Sequence, residues 1–131
     1  MKKLFSIFLL LTVAFICNAQ SATLLTAVTA TTSITGVITT APRVQIMNIQ
    51  TYTNSAYSGT TATVALKGSN DGVSWATLYA DDNTTALSFT ITAASTSYDW
   101  LVKAAMYKYY LVIYTKGNAS AGTITTTYNQ Q

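Results

Sequence analysis

Four aspartates, Asp71, Asp81, Asp82 and Asp99, are the only carboxylate side chains in the sequence. Glutamate and histidine are absent, and Cys17 is the one cysteine. A Ser-His-Asp triad or a Cys-His pair therefore lacks its histidine, and zinc sites of ordinary cysteine and histidine ligation are excluded or nearly so. Glycoside hydrolysis needs two carboxyl groups flanking one bond, roughly 5 to 9.5 Å apart. Asp71 and the Asp81-Asp82 pair fall instead in stretches with turn chemistry, so no enzyme is expected. Asp81, Asp82 and Asn83 could offer oxygens to a calcium ion, a hard cation that takes about six to eight of them. A solvated polar loop is the competing reading, and no other cofactor is implied.

The remaining chemistry is recognition by tyrosines. Residues 107–116 place Lys108, Tyr110, Val112, Tyr114 and Lys116 on one face of an extended segment, because successive side chains of a strand point to opposite sides. If that face is exposed, Tyr110 and Tyr114 can stack on sugar rings while Lys108 and Lys116 bond hydroxyl or acidic groups. If it packs on a second sheet or a neighbouring subunit, the same residues are core. Tyr52 and Tyr57 could rim the same end of the domain.

Delivery is written at the N-terminus. Lys2 and Lys3 precede an apolar run over residues 4–16, interrupted only by Ser6 and Thr12, and Asn18-Ala19-Gln20 closes it. That is the anatomy of a cleavable secretion signal, residues 1–19, of a kind resembling those of Bacteroidetes-type bacteria. As a helix the apolar run rises about 20 Å against a hydrocarbon layer of about 30 Å, too short for a permanent span. Cys17 allows a second outcome, lipidation, although Ile16 stands where lipoprotein signals want a small residue. Cleavage after Ala19 leaves residues 20–131 as a single domain without a thiol. It also takes the formal charge from +3 to +1 by removing Lys2 and Lys3. Such a near-neutral chain has no electrostatic case for nucleic-acid binding.

About a fifth of the chain is threonine and tyrosine is plentiful, a composition that favours strands. The clearest strand runs over residues 61–67, with Ala62, Val64 and Leu66 inward against Thr61, Thr63, Ala65 and Lys67 outward. Residues 43–53 carry apolar groups in both registers (Val44 and Ile46, then Met47 and Ile49), which suggests burial on both sides or a bulge. Residues 21–41 read as one or two opening strands, or as an arm that adds to a neighbouring subunit's sheet. About eight short strands, with no helix-period segment after the signal, predict an all-β antiparallel β-sandwich or jelly roll. Sparse charge over a Thr-rich surface weakens protection against edge pairing, so self-association is expected.

One stretch is more specific: Gly68-Ser69-Asn70-Asp71-Gly72-Val73-Ser74-Trp75. Asn70 and Asp71 suit an Asx turn, Gly72 tolerates positive φ, and Trp75 can return a large ring to the core. The stretch resembles the Gly-Ser-x-Asp-Gly-x-x-Trp hairpin of discoidin-like (factor 5/8 C-type) sandwiches. It is also similar to short modules of bacterial surface proteins and phage virions. Residues 107–113, the Gly117 and Gly122 turn and the Thr-rich end follow in the order those modules show, although Leu111 stands where many discoidin-like strands carry a second basic residue. The resemblance implies a sandwich and a non-enzymatic class, and no ligand residue transfers by position. The sequence thus points to a secreted, non-catalytic structural or adhesive module of a bacterial cell surface or a virion, partnering itself. The alternative is a carbohydrate-binding module that uses surface tyrosines on glycans.

Overall fold

The computed structural model describes residues 20–40, 46–80, 84–103 and 106–131. Residues 1–19, read above as a signal and including Cys17, and Asp81, Asp82 and Asn83, read above as a candidate calcium site, lie outside the described residues. Among those described, nine strands form: β1 (Gln20–Thr29), β2 (Ile34–Thr39), β3 (Ile46–Thr53), β4 (Ala62–Ser69), β5 (Ala76–Thr77), β6 (Ser88–Ile91), β7 (Ser97–Lys103), β8 (Tyr109–Thr115) and β9 (Thr123–Gln130).

Every pairing is antiparallel. One sheet runs β1-β9-β3-β7, and the other runs β2-β8-β4. The far edge of β4 is shared, with β6 along residues 62–65 and β5 along residues 67–68. Counting β5 and β6 as one sheet position gives eight positions. Because the chain passes repeatedly from one sheet to the other, the result is a jelly roll. This explains why about eight strands were predicted and nine occur.

The core lies between the sheets. Ala62, Val64 and Leu66 of β4 point into it as the alternation required, meeting Met47, Ile49, Trp100 and Ile124 from the facing sheet. Each fully buried aliphatic side chain contributes about 1.5–3 kcal/mol. Strand β3 corrects the expectation of two buried sides: Met47, Ile49, Thr51 and Thr53 are buried, while Ile46, Asn48, Gln50 and Tyr52 are exposed. Threonine can take inward positions because Thr51 and Thr126 are hydroxyl partners at 2.9 Å, which removes the cost of an unpaired buried hydroxyl. Strand β1 pairs with β9 of its own chain, with register shifts near Leu25. The opening segment is thus part of the chain's own sandwich.

Candidate functional site

The outer face of the β1-β9-β3-β7 sheet collects the polar side chains that the core excludes. Register sets them in rungs. Asn48 lies between Asn129 and Leu101, with Ser21 beyond Asn129; Gln50 lies between Thr127 and Asp99, with Thr23 beyond Thr127. Tyr52 follows between Thr125 and Ser97. Neighbouring strands stand about 4.8 Å apart and successive same-face residues about 6.8 Å apart. A depression of about 220 Å³ opens on this face, lined by Asn48, Gln50, Asp99, Thr127, Asn129 and Ser21 among others. Tyr52 (41% exposed) and Leu101 (56%) flank it. Among the described residues, the side chains of Asn48, Gln50, Asp99 and Thr127 make no hydrogen bond within the protein. The Asn129 Oδ1 is buried and also lacks a partner. Two amides, a hydroxyl and one carboxylate are therefore left to bond whatever rests on the sheet.

The tyrosine stripe has the opposite fate. Tyr110 and Tyr114 are each 1% exposed, which corrects the expectation that they form a sugar-stacking surface. Strand β8 is central in its sheet, between β2 and β4, so one of its faces must meet the other sheet. Burying Val112 takes Tyr110 and Tyr114 with it by the period of two. The Tyr114 hydroxyl donates to the Ala30 carbonyl at 2.7 Å, and burial pushes its pKa up to about 12, helped by nearby Tyr57. Burial likewise raises Tyr110 and Tyr57, and the Tyr57 hydroxyl has no partner among the described residues. Lys108 and Lys116 are exposed at opposite ends of β8, about 27 Å apart along an extended strand. The Lys108 ammonium sits 5.1 Å from the centre of the ring of Tyr109, its neighbour in sequence. The structure does not bring the four residues into one exposed site.

In the Asn70-Asp71-Gly72 turn the Asx bonds are made by Asp71 alone. The Asp71 Oδ1 accepts the Val73 and Ser74 N–H groups, both at 2.8 Å, and the Ser69 hydroxyl at 2.7 Å. The two backbone donors and then the hydroxyl hold its carboxyl well below the usual carboxylate range. Gly72 turns at φ 75°. Asn70 departs from the Asx role and accepts the Lys108 N–H at 3.2 Å, tying the turn to β8. Trp75 is only partly buried and outside the core, while Trp100 is the buried indole. Strand β5 is only two residues long at a sheet edge, which leaves Trp75 in the turn rather than between the sheets.

No group of three or more candidate metal ligands occurs among the described residues. The exposed sheet face was missed by sequence reading because its residues come from four strands. Its one local signal is polar alternation, Asn48-x-Gln50 and Thr127-x-Asn129.

No protein-family model and no curated protein matches the chain. Among solved structures it is similar to the SPBc2 prophage-derived protein YomS, with a TM-score of 0.59 and 10% identity over 87% of this chain and 94% of that one. A CBM4 carbohydrate-binding module gives a TM-score of 0.44 at 13% identity, over 76% of this chain and 61% of that one. The first likeness shows a shared β-sandwich fold.

Proposed function

We propose that the chain is an exported, non-catalytic adhesive module that holds its target on the outer face of the β1-β9-β3-β7 sheet and associates with copies of itself through the other sheet. The observation that carries this reading is the set of unpartnered polar side chains around Asn48, Gln50 and Asp99. Among the described residues Asp99 is the only carboxylate side chain lining the depression, so the described face offers hydrogen bonds without the paired acid and base that bond cleavage needs. The export signal read in residues 1–19 favours a cell surface over a virion, since virion proteins usually assemble in the cytoplasm.

Self-association is supported by the opposite outer face. There Val37, 51% exposed, stands beside Leu111, and Ile113 lies between Thr35 and Ala65. Strand β2 forms the edge of that sheet without a charged residue or a proline, the kind of edge that native proteins otherwise protect. Repeated copies would strengthen a weak surface contact by avidity.

Purified residues 20–131 test both parts. Light scattering should show concentration-dependent oligomers that Val37→Lys disperses. Immobilised protein should retain cells of the source bacterium, and combined Asn48→Ala and Gln50→Ala should lower that retention. A monomer at every concentration would remove the self-association, and retention indifferent to the double variant would remove the binding face.

A further inference from the structure

We infer that the ligand of this face is a neutral, hydroxyl-rich glycan chain. The inference rests on the adhesive reading of the same face and adds the chemistry of what is held. Amide side chains both donate and accept, as sugar hydroxyls do, whereas a carboxylate only accepts. Asn48, Gln50 and Thr127 can therefore meet hydroxyl pairs in either orientation, and Asp99 can accept a charge-assisted hydrogen bond from one hydroxyl.

Charge decides between glycan classes. Among the described residues no lysine or arginine side chain lines the depression, and the formally charged side chain there is the carboxylate of Asp99. Uronate, sulfate and phosphate groups would meet that carboxylate with no cation of the described lining to offset it. The face thus selects against acidic polysaccharides and nucleic acid and for uncharged sugar.

Size and flanks point to a chain rather than a free monosaccharide. The depression, about 220 Å³, falls below the roughly 300–1,000 Å³ of pockets that engulf small molecules. It suits one sugar unit, with the adjoining units extending over the sheet. Tyr52 lies one rung from Gln50 on one side, and Leu101 shares the Asn48 rung. Both are exposed apolar surfaces onto which the C–H faces of neighbouring units can stack. Lone sugars would reach only the middle of this arrangement.

The test is calorimetric titration of residues 20–131 with neutral hexasaccharides (gluco-, xylo- and manno-configured) and with two acidic probes, polygalacturonate and alginate. At least one neutral hexasaccharide should bind and its monosaccharide much more weakly; the acidic probes should not bind. Gln50→Ala and Tyr52→Ala should each weaken binding about tenfold, the scale of one good contact, with unchanged melting temperature. Tyr79→Ala, an exposed tyrosine away from this face, should bind as the parent does, and chelator should have no effect. Binding of the acidic probes, silence toward all neutral probes or loss of binding on chelation would each overturn the inference. If the neutral probes fail while Asn48→Ala with Gln50→Ala still abolishes cell retention, the ligand class is wrong and the face is right. If retention also ignores that double variant, both readings fall.

Discussion

The β4–β5 turn and the outer face of the β1-β9-β3-β7 sheet are made of the same materials, a carboxylate, amides and hydroxyls, yet they use them in opposite ways. In the turn, Asp71 is satisfied by Val73, Ser74 and Ser69, and Asn70 by the backbone of Lys108. On the face, Asp99, Asn48, Gln50 and Thr127 bond nothing within the described protein. Residue type therefore does not separate structural polar groups from recognition groups; the presence of internal partners does. The same contrast divides the tyrosines, with Tyr114 bonded and buried and Tyr52 exposed. It also divides the threonines, with Thr51 paired to Thr126 and Thr127 facing out.

The largest effect that could break this contrast is in the tyrosines. Replacing a buried aromatic by alanine costs about 3–5 kcal/mol, a large share of the roughly 5–15 kcal/mol that holds a domain together. Tyr110→Ala and Tyr114→Ala should accordingly lower the urea midpoint steeply or prevent folding, whereas Tyr52→Ala should stay within about 0.5 kcal/mol of the parent. A Tyr114→Ala protein of ordinary stability but weakened glycan binding would return the stripe to the surface and invert the comparison.

The next effect is in the threonines. Thr51→Val leaves the buried Thr126 hydroxyl without its partner, which costs about 1–3 kcal/mol. Removing both hydroxyls, as Thr51→Val with Thr126→Val, should recover most of that loss, so the pair is non-additive. Thr127→Val, one residue along and outward, should change stability by less than about 0.5 kcal/mol. Chemical denaturation of the parent, Thr51→Val, Thr126→Val, their double variant and Thr127→Val measures this, and additive losses at 51 and 126 would show that the two hydroxyls act separately.

How much of this was legible in the sequence follows from the same physics. Strand β4 was readable because Ala62, Val64 and Leu66 alternate with hydroxyl and basic residues, so only one register buries apolar surface. Strand β8 was not. Tyr109, Leu111 and Ile113 on one side are as apolar as Tyr110, Val112 and Tyr114 on the other, and only the facing sheet decides which side is buried. The turn could be read because Asp71 and Gly72 act within four residues. Trp75 misled because a hairpin's return strand is expected to be long enough to carry it inward, and β5 is not. The binding face was hidden because Gln50 meets Thr127 and Asp99 only through the jelly-roll order, and that order is a property of the whole chain.

The smallest effect is the sharpest, because it sets one aspartate against the other. The donors around Asp71 favour its charged form in the folded state, holding the carboxyl well below the ordinary value of about 3.9 that it has unfolded. The folded state then binds fewer protons than the unfolded one near and below that value, so stability falls as pH falls there. The contribution is complete above about pH 5 and declines progressively below about pH 4. Asp71→Asn removes it at the start, because an amide has one acceptor oxygen and no charge with which to hold the Val73 and Ser74 N–H groups and the Ser69 hydroxyl. The variant should melt below the parent at pH 7, and the gap should narrow as the pH is lowered through 4. Asp99→Asn breaks no internal bond and should leave the melting temperature at pH 7 unchanged while altering glycan binding. Melting curves of the two variants thus separate a carboxylate that holds the fold from one that is free to hold something else. Equal losses at pH 7 would mean that Asp99 has a structural partner after all, and the face would lose the charge-assisted contact that Asp99 provides.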